Sequence, residues 1–114
     1  MIAEPARDAS AGQPAGSFAV EATTWVSKLV GGADWGTVVL REPLAPGDTV
    51  RSGLRRVSER YPPLLDTLWT RDTHELSEHL HVMVNARALG VEHTLGSPLH
   101  DGDVITLLGQ FAGG

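Results

Sequence analysis

From Phe18 the chain settles into a period of two. Phe18, Val20 and Ala22 fall on one side of an extended segment and Ala19, Glu21 and Thr23 on the other, which predicts a half-buried strand ending near Trp25. The Gly31-Gly32 pair marks a turn. The β-branched stretch Thr37-Val38-Val39-Leu40-Arg41-Glu42 then reads as the hairpin partner, closed by Pro43 and Pro46-Gly47. Asp48 or Thr49 suits a helix N-cap, because a short side-chain oxygen accepts an orphan backbone amide of the first turn. Beyond it the period changes to that of a helix: Val50, Leu54, Val57 and Tyr61 share one face, while Arg51, Arg55, Arg56, Glu59 and Arg60 occupy the others. Pro62-Pro63 stops this helix. Gly53 inside it costs about 1 kcal/mol relative to alanine, so close packing against a sheet is expected there.

Alternation returns at Leu80, Val82 and Val84, a third strand ending at Asn85, which tolerates a turn. A short fourth strand is expected around Leu89 and Val91. After the break at Gly96-Ser97-Pro98 and the tight turn at Asp101-Gly102, Val104-Ile105-Thr106-Leu107-Leu108 reads as the last strand. The predicted order is β-β-α-β-β-β, an α+β domain with a mixed four- to five-stranded sheet packed on one main helix.

Composition narrows the picture. A chain of 114 residues can bury one core but hardly two, so one domain is expected, spanning residues 17–110. Met1 to Gly16, rich in Ala, Gly, Pro and small polar residues, reads as a disordered leader, and residues 111–114 as a flexible tail ending in Gly-Gly. The net charge of -5 provides no basic footprint for a phosphate backbone, which argues against nucleic acid as a partner. No apolar run approaches the roughly 20 residues that span a bilayer, and the N-terminus lacks a secretory pattern. No membrane partner and a cytoplasmic location are expected. Cysteine is absent, so any sulfur chemistry must use sulfur brought from elsewhere.

The C-terminal stretch "SPLHDGDVITLLGQFAGG" resembles the signature of the ThiS/MoaD ubiquitin-like sulfur-carrier family: a Pro-Leu-x-Asp-Gly-Asp turn, a strand and a terminal Gly-Gly. "SKLVGG", "PGDTVRSGLRRVSERYP" and "VMVN" agree with it in order, so the resemblance runs from about Phe18 to Gly114. Where many relatives carry prolines in the tail, this chain has Gly109-Gln110. The resemblance implies a β-grasp fold and makes the carboxylate of Gly114 the working group. It also implies that the chain is not an enzyme but the substrate of a ubiquitin-activating-like adenylating enzyme, which uses ATP and Mg. Sulfur from a donor such as a rhodanese or cysteine desulfurase then yields a thiocarboxylate for a downstream sulfur-accepting synthase. The small subunit of molybdopterin synthase is one role of this kind. No bound cofactor is implied.

The residues suit that chemistry. A free α-carboxyl with a pKa near 3.5 is an anion at neutral pH and a poor target for any nucleophile until activated. Positioning ATP and stabilising the transferring phosphoryl group need metal and basic groups that a partner must bring. Gly113 and Gly114 lack Cβ atoms and can thread a channel too narrow for side chains. If Ile105 and Leu107 face the helix, Leu108 faces out, and Phe111 lies beyond the core. Leu108 and Phe111, with Gln110 and Ala112 between Leu108 and the glycines, are therefore the expected partner contacts.

Other motifs weigh less. His74-Glu75-Leu76-Ser77-Glu78-His79 places its histidines five apart, about 140° around a helix, whereas a zinc-protease helix needs them four apart on one face. His79 and His81 share a strand face without a third ligand, and no metal site is predicted. Trp25, Trp35 and Trp69 are separated, as residues that fill a core or cover sheet edges usually are. The helix arginines read as an ordinary charged face, with recruitment of an acidic partner the lesser alternative. Two other functions compete with a carrier: a ubiquitin-like modifier joined through Gly114 to lysines of target proteins, and an interaction module with an inert tail. Lys28 is the only lysine, which argues against branched self-chains.

Overall fold

The structure is a computed structural model, and it describes residues 16–32, 36–70, 75–77, 80–89 and 93–109. Five strands form one mixed sheet: β1 (Ser17–Thr23), β2 (Val38–Pro43), β3 (Leu80–Val84), β4 (Arg87–Ala88) and β5 (Val104–Gly109), in the order β2-β1-β5-β3-β4. β1 and β2 form the expected antiparallel hairpin pair, with Val20 opposite Leu40. β5 lies in the centre, parallel to β1 and antiparallel to β3. A 3-10 helix (Thr24–Val30) follows β1, and two α-helices, α1 (Val50–Ser58) and α2 (Pro62–Leu68), lie between β2 and β3.

One face of the sheet carries the core. Phe18, Val20 and Ala22 from β1, Ile105 and Leu107 from β5, and Leu80, Val82 and Val84 from β3 are buried together with Val50, Leu54 and Val57 of α1. The strand residues are the ones that the period of two assigns to this face. Thr49 caps α1 through a reciprocal capping box with Ser52. Gly53 meets the sheet as expected, since a Cβ there would come 2.7 Å from Leu99 Cδ1 and 2.8 Å from Phe18 Cζ. The close approach of helix and sheet explains why a poor helix former stands at this position.

Three boundaries differ from the sequence reading, each for a local reason. β1 ends at Thr23 rather than near Trp25, because Thr24 turns the backbone to φ +55° and the chain enters the 3-10 helix. That helix holds the Ser27-Lys28-Leu29-Val30 part of "SKLVGG", and Gly31, at φ +88°, ends it. α1 stops at Ser58 instead of continuing through Tyr61: the amides of Arg60 and Tyr61 close tighter turns onto Val57 O and Ser58 O. The fourth strand lies at Arg87–Ala88, not at Leu89 and Val91. Asn85 and Ala86 both have positive φ, so a two-residue turn sets residues 87 and 88 against Val84 and Met83. Val91 lies outside the described residues.

The helix count also changes. Pro62-Pro63 does end α1, but it also opens α2, where missing N–H groups and a fixed φ are suited to the first turn. Leu64 and Leu68, four apart, are fully buried, and Trp69 beyond them donates its Nε1–H to Ser58 Oγ at 3.0 Å. Trp69 then pairs with Leu76 in a short antiparallel bridge. The main helix α1 is thus joined by a second, shorter helix that packs beside it on the core.

The loops at one end of the sheet are locked by polar contacts. Asp101 accepts the amide of Ser17 at 2.9 Å, tying the turn to the start of β1. Asp103 accepts from the His100 amide at 2.8 Å and from Asn85 Nδ2 at 2.9 Å, and Asn85 Oδ1 accepts from the Val104 amide at 2.9 Å. Nearby, Arg56 of α1 donates to Glu42 Oε2 at 2.8 Å, to Asp48 Oδ2 at 2.7 Å and to Pro43 O at 3.0 Å. Arg60 completes the cluster on the other oxygen of Glu42. Of the helix arginines, Arg56 and Arg60 are therefore structural ion pairs rather than a freely solvated face. Arg51 and Arg55 lie 5.9 and 5.4 Å from the centroid of the Trp69 ring.

Candidate functional site

The chain leaves the sheet at the end of β5, and the candidate site is built around that point. Ile105 and Leu107 point into the core with no exposure, so Leu108 points to the opposite face, as the alternation required. There it sits between Thr23 of β1 and His81 of β3. Leu108 is half-buried and His81 exposed. The neighbouring row of the same face runs Val39, Glu21, Thr106, Met83 and Ala88 across the five strands. Val39 is 50% exposed, and Thr106 donates to Glu21 Oε1 at 3.2 Å. Neither α1 nor α2 covers this face. It presents a mixed apolar and polar surface beside the exit of the chain, of the kind a protein partner can cover.

Of the predicted site residues, Leu108 is placed on this surface. Gln110, Phe111, Ala112, Gly113 and Gly114 lie outside the described residues, as do His74, His79, Trp35 and residues 1–15 of the expected leader. Val39 and Met83 join Leu108 through strand pairing, a relation their distance in sequence hides.

Three residues at the exit were missed by sequence reasoning. Thr23 Oγ1 donates to Leu107 O at 2.9 Å, and Thr24 Oγ1 accepts the amide of Gly109 at 3.2 Å. The indole of Trp25 lies so close over Gly109 that a Cβ there would run into its Cε2 and Nε1 atoms. Trp25 thus covers the end of the central strand at the last described residue. A signal was available in the sequence: a threonine pair and a tryptophan at the end of a strand parallel to the one carrying the tail.

The electrostatics separate this site from the locked end of the sheet. Hydrogen bonding to Arg56 pulls the Asp48 carboxyl down from its usual value to about 2, against the opposing effect of burial. Burial pushes Glu42 up, but Arg56 and Arg60 together outweigh it and hold its carboxyl below the ordinary range. Arg56 is correspondingly raised, chiefly by Asp48. These groups neutralise one another within the fold. Among the described residues, no three His, Asp or Glu side chains cluster to hold a metal, and no helix is long and apolar enough to cross a membrane.

The order β2-β1-β5-β3-β4, with helices on one face and a central last strand parallel to the first, defines a ubiquitin-like β-grasp protein. Among solved structures, the chain is similar to small archaeal modifier protein 1 from Haloferax volcanii, with a TM-score of 0.71 and 23% identity over 87% of this chain and 100% of that one. It is also similar to small archaeal modifier protein 1 from Methanosarcina acetivorans (TM-score 0.67, 18% identity, 87% and 97% covered). A third neighbour, from Pyrococcus furiosus and assigned as molybdopterin converting factor subunit 1, has a TM-score of 0.62 and 18% identity over 84% of this chain and 99% of that one. These neighbours are ThiS/MoaD-type ubiquitin-like proteins, and the resemblance drawn from the residues holds at the level of the fold. No protein-family model matches the sequence, and no curated protein matches it significantly.

Proposed function

We propose that this chain is a sulfur carrier that is not itself an enzyme but the protein co-substrate of one. A ubiquitin-activating-like adenylating enzyme, using ATP and Mg, binds the tail. One oxygen of the Gly114 carboxylate attacks the α-phosphorus of ATP, pyrophosphate leaves, and an acyl-adenylate forms. The outer sulfur of a persulfide on a rhodanese or cysteine desulfurase attacks the acyl carbon and expels AMP, and a thiol then reduces the resulting acyl disulfide, leaving a thiocarboxylate that a downstream synthase consumes. The chain needs no bound cofactor for this, and the pathway is placed in the cytoplasm.

The observation that carries this reading is the position of β5. The strand is hydrogen-bonded on both sides and ends at Gly109, five residues before Gly114, beside a face that the helices leave uncovered. The body of the domain can dock through Leu108 and its neighbours while the last residues reach a nucleotide site. Gln110, Phe111 and Ala112 bridge the distance, and Gly113 and Gly114 offer no side chain to obstruct it. Leu108 and Phe111 would each contribute about 1.5–3 kcal/mol to docking if fully buried.

Two of the structural neighbours bear the name of modifier proteins, which favours a second use of the same activated terminus: conjugation of Gly114 to lysines of target proteins. Intact-mass analysis of the protein isolated from cells separates the two. Replacement of one oxygen by sulfur at Gly114 is expected for the carrier, and higher-mass isopeptide conjugates for the modifier. An unaltered tail under sulfur-replete conditions would contradict both.

A further inference from the structure

We propose that Thr24 and Trp25 are positioning residues that fix the direction in which the chain leaves the sheet at Gly109, and so set how the terminal carboxylate enters a partner's site. The proposal rests on the carrier reading and adds to it a part of the domain other than the tail.

Thr24 has φ +55°, a region where a β-branched residue is a genuine outlier and survives only if its surroundings hold it there. What that conformation achieves is visible in its side chain. Thr24 Oγ1 donates to Thr23 O at 2.6 Å and accepts the Gly109 amide at 3.2 Å. At this point the β1–β5 ladder, whose last paired residues are Thr23 and Leu108, is extended by a side chain instead of a backbone carbonyl. On the preceding residue, Thr23 Oγ1 holds Leu107 O. Trp25 supplies the third side by lying on the bare Cα of Gly109. Two hydroxyls and an indole, consecutive in sequence, therefore grip consecutive stretches of β5 at the last point before the tail.

A strained residue, a glycine required by an overlying ring and a side-chain rung all converge on one amide. A chain that only had to turn from β1 into the 3-10 helix would be served better by glycine at position 24, which adopts this φ without strain. The hydroxyl is the group glycine would lose. Delivering a carboxylate to a phosphorus centre rewards a restricted approach through its effective molarity, and misplacement lowers turnover more than docking.

The test uses the full chain with the adenylating enzyme that activates it, measured by ATP–pyrophosphate exchange, alongside hydrogen exchange at the Gly109 amide. Thr24→Gly relieves the backbone strain and is expected to melt no lower than wild type. Its kcat is expected to fall about tenfold with KM within about twofold, and Gly109 protection to drop about tenfold. Thr24→Ser, which keeps the hydroxyl, should stay within about twofold of wild type in all three. Gly109→Ala, which displaces the indole, should reproduce the kcat loss. A wild-type kcat in Thr24→Gly, or an equal loss in Thr24→Ser, overturns the proposal. If the wild-type chain is not activated by any such enzyme, the carrier reading fails instead, and an unchanged Gly109 exchange rate in Thr24→Gly would then overturn the clamp independently.

Discussion

The two poles of the sheet are built on opposite principles. At one pole the start of β1, the end of β2, the cap of α1 and the turn before β5 are joined by charged and amide groups whose polar atoms are partnered inside the fold. Asp101, Asp103 and Asn85 bind loop amides there, and Arg56 neutralises Glu42 and Asp48. At the other pole, where β1 and β5 end, the contacts on Gly109 are a threonine hydroxyl and an indole, and Leu108 and Val39 lie on a face without a helix over it. The first pole is closed by ion pairs and side-chain hydrogen bonds, and the second carries the surface proposed for docking. The Asp-Gly-Asp turn and the "VMVN" asparagine, which make the sequence resemble the ThiS/MoaD family, belong to the first. They therefore announce a fold, while the proposed chemistry rests on the two glycines that end the sequence.

Substitutions ranked by their effect on stability should run from the first pole to the second, and their effects on activation should run the other way. Arg56→Ala leaves buried Asp48 without its cation and Glu42 with Arg60 alone, and is expected to cost about 3–5 kcal/mol in urea unfolding. Acid should produce the next largest effect. Asp48 titrates near 2 in the folded chain against an ordinary 3.8, so its stabilisation is complete above pH 3.8 and fades as pH falls toward 2. The loss amounts to about 2 kcal/mol, and Glu42, also lowered, adds in the same direction. Urea midpoints across that window should show this acid limb in wild type and a weaker one in Asp48→Asn. Asp103→Ala removes two acceptor contacts at a half-buried position and should cost about 1–2 kcal/mol in the same assay.

At the second pole the ranking inverts. Leu108→Ala should cost less than about 1 kcal/mol in stability, since the side chain is only half-buried, yet raise the KM for activation by about tenfold or more. Deleting Gly114 should leave the melting temperature unchanged and abolish AMP-dependent activation, as measured by pyrophosphate exchange. A Leu108→Ala variant that lost stability but kept its KM would break the contrast between the poles.

Much of this could be read in advance. The alternation of Phe18, Val20 and Ala22, of Leu80, Val82 and Val84, and of Ile105 and Leu107 placed those residues on the buried face, because strand geometry leaves a side chain two choices and burial selects one. Gly53 announced its close contact for a similar reason: nothing else in an amphipathic helix rewards a glycine. Less was legible where one residue serves two elements. Pro62-Pro63 reads equally as the end of α1 and the start of α2, and only the burial of Leu64 and Leu68 decides. Asn85 predicts a turn, but not that it and Ala86 would both take positive φ and set the next strand at Arg87–Ala88. Arg56 and Arg60 looked like a solvent-exposed face because Glu42 and Asp48, their partners, lie on other elements.

Local periodicity alone, then, determined which faces are apolar and roughly where strands and helix begin. These are properties of neighbours along the backbone. Tertiary structure decided which outward residues share a surface, that Arg56 is paired rather than free, and that Thr24 and Trp25 stand at the exit of β5 about 85 residues later in the chain. Those relations depend on parallel pairing between the first and last strands. A parallel pair is joined by a long crossover whose sequence says nothing about the register it creates.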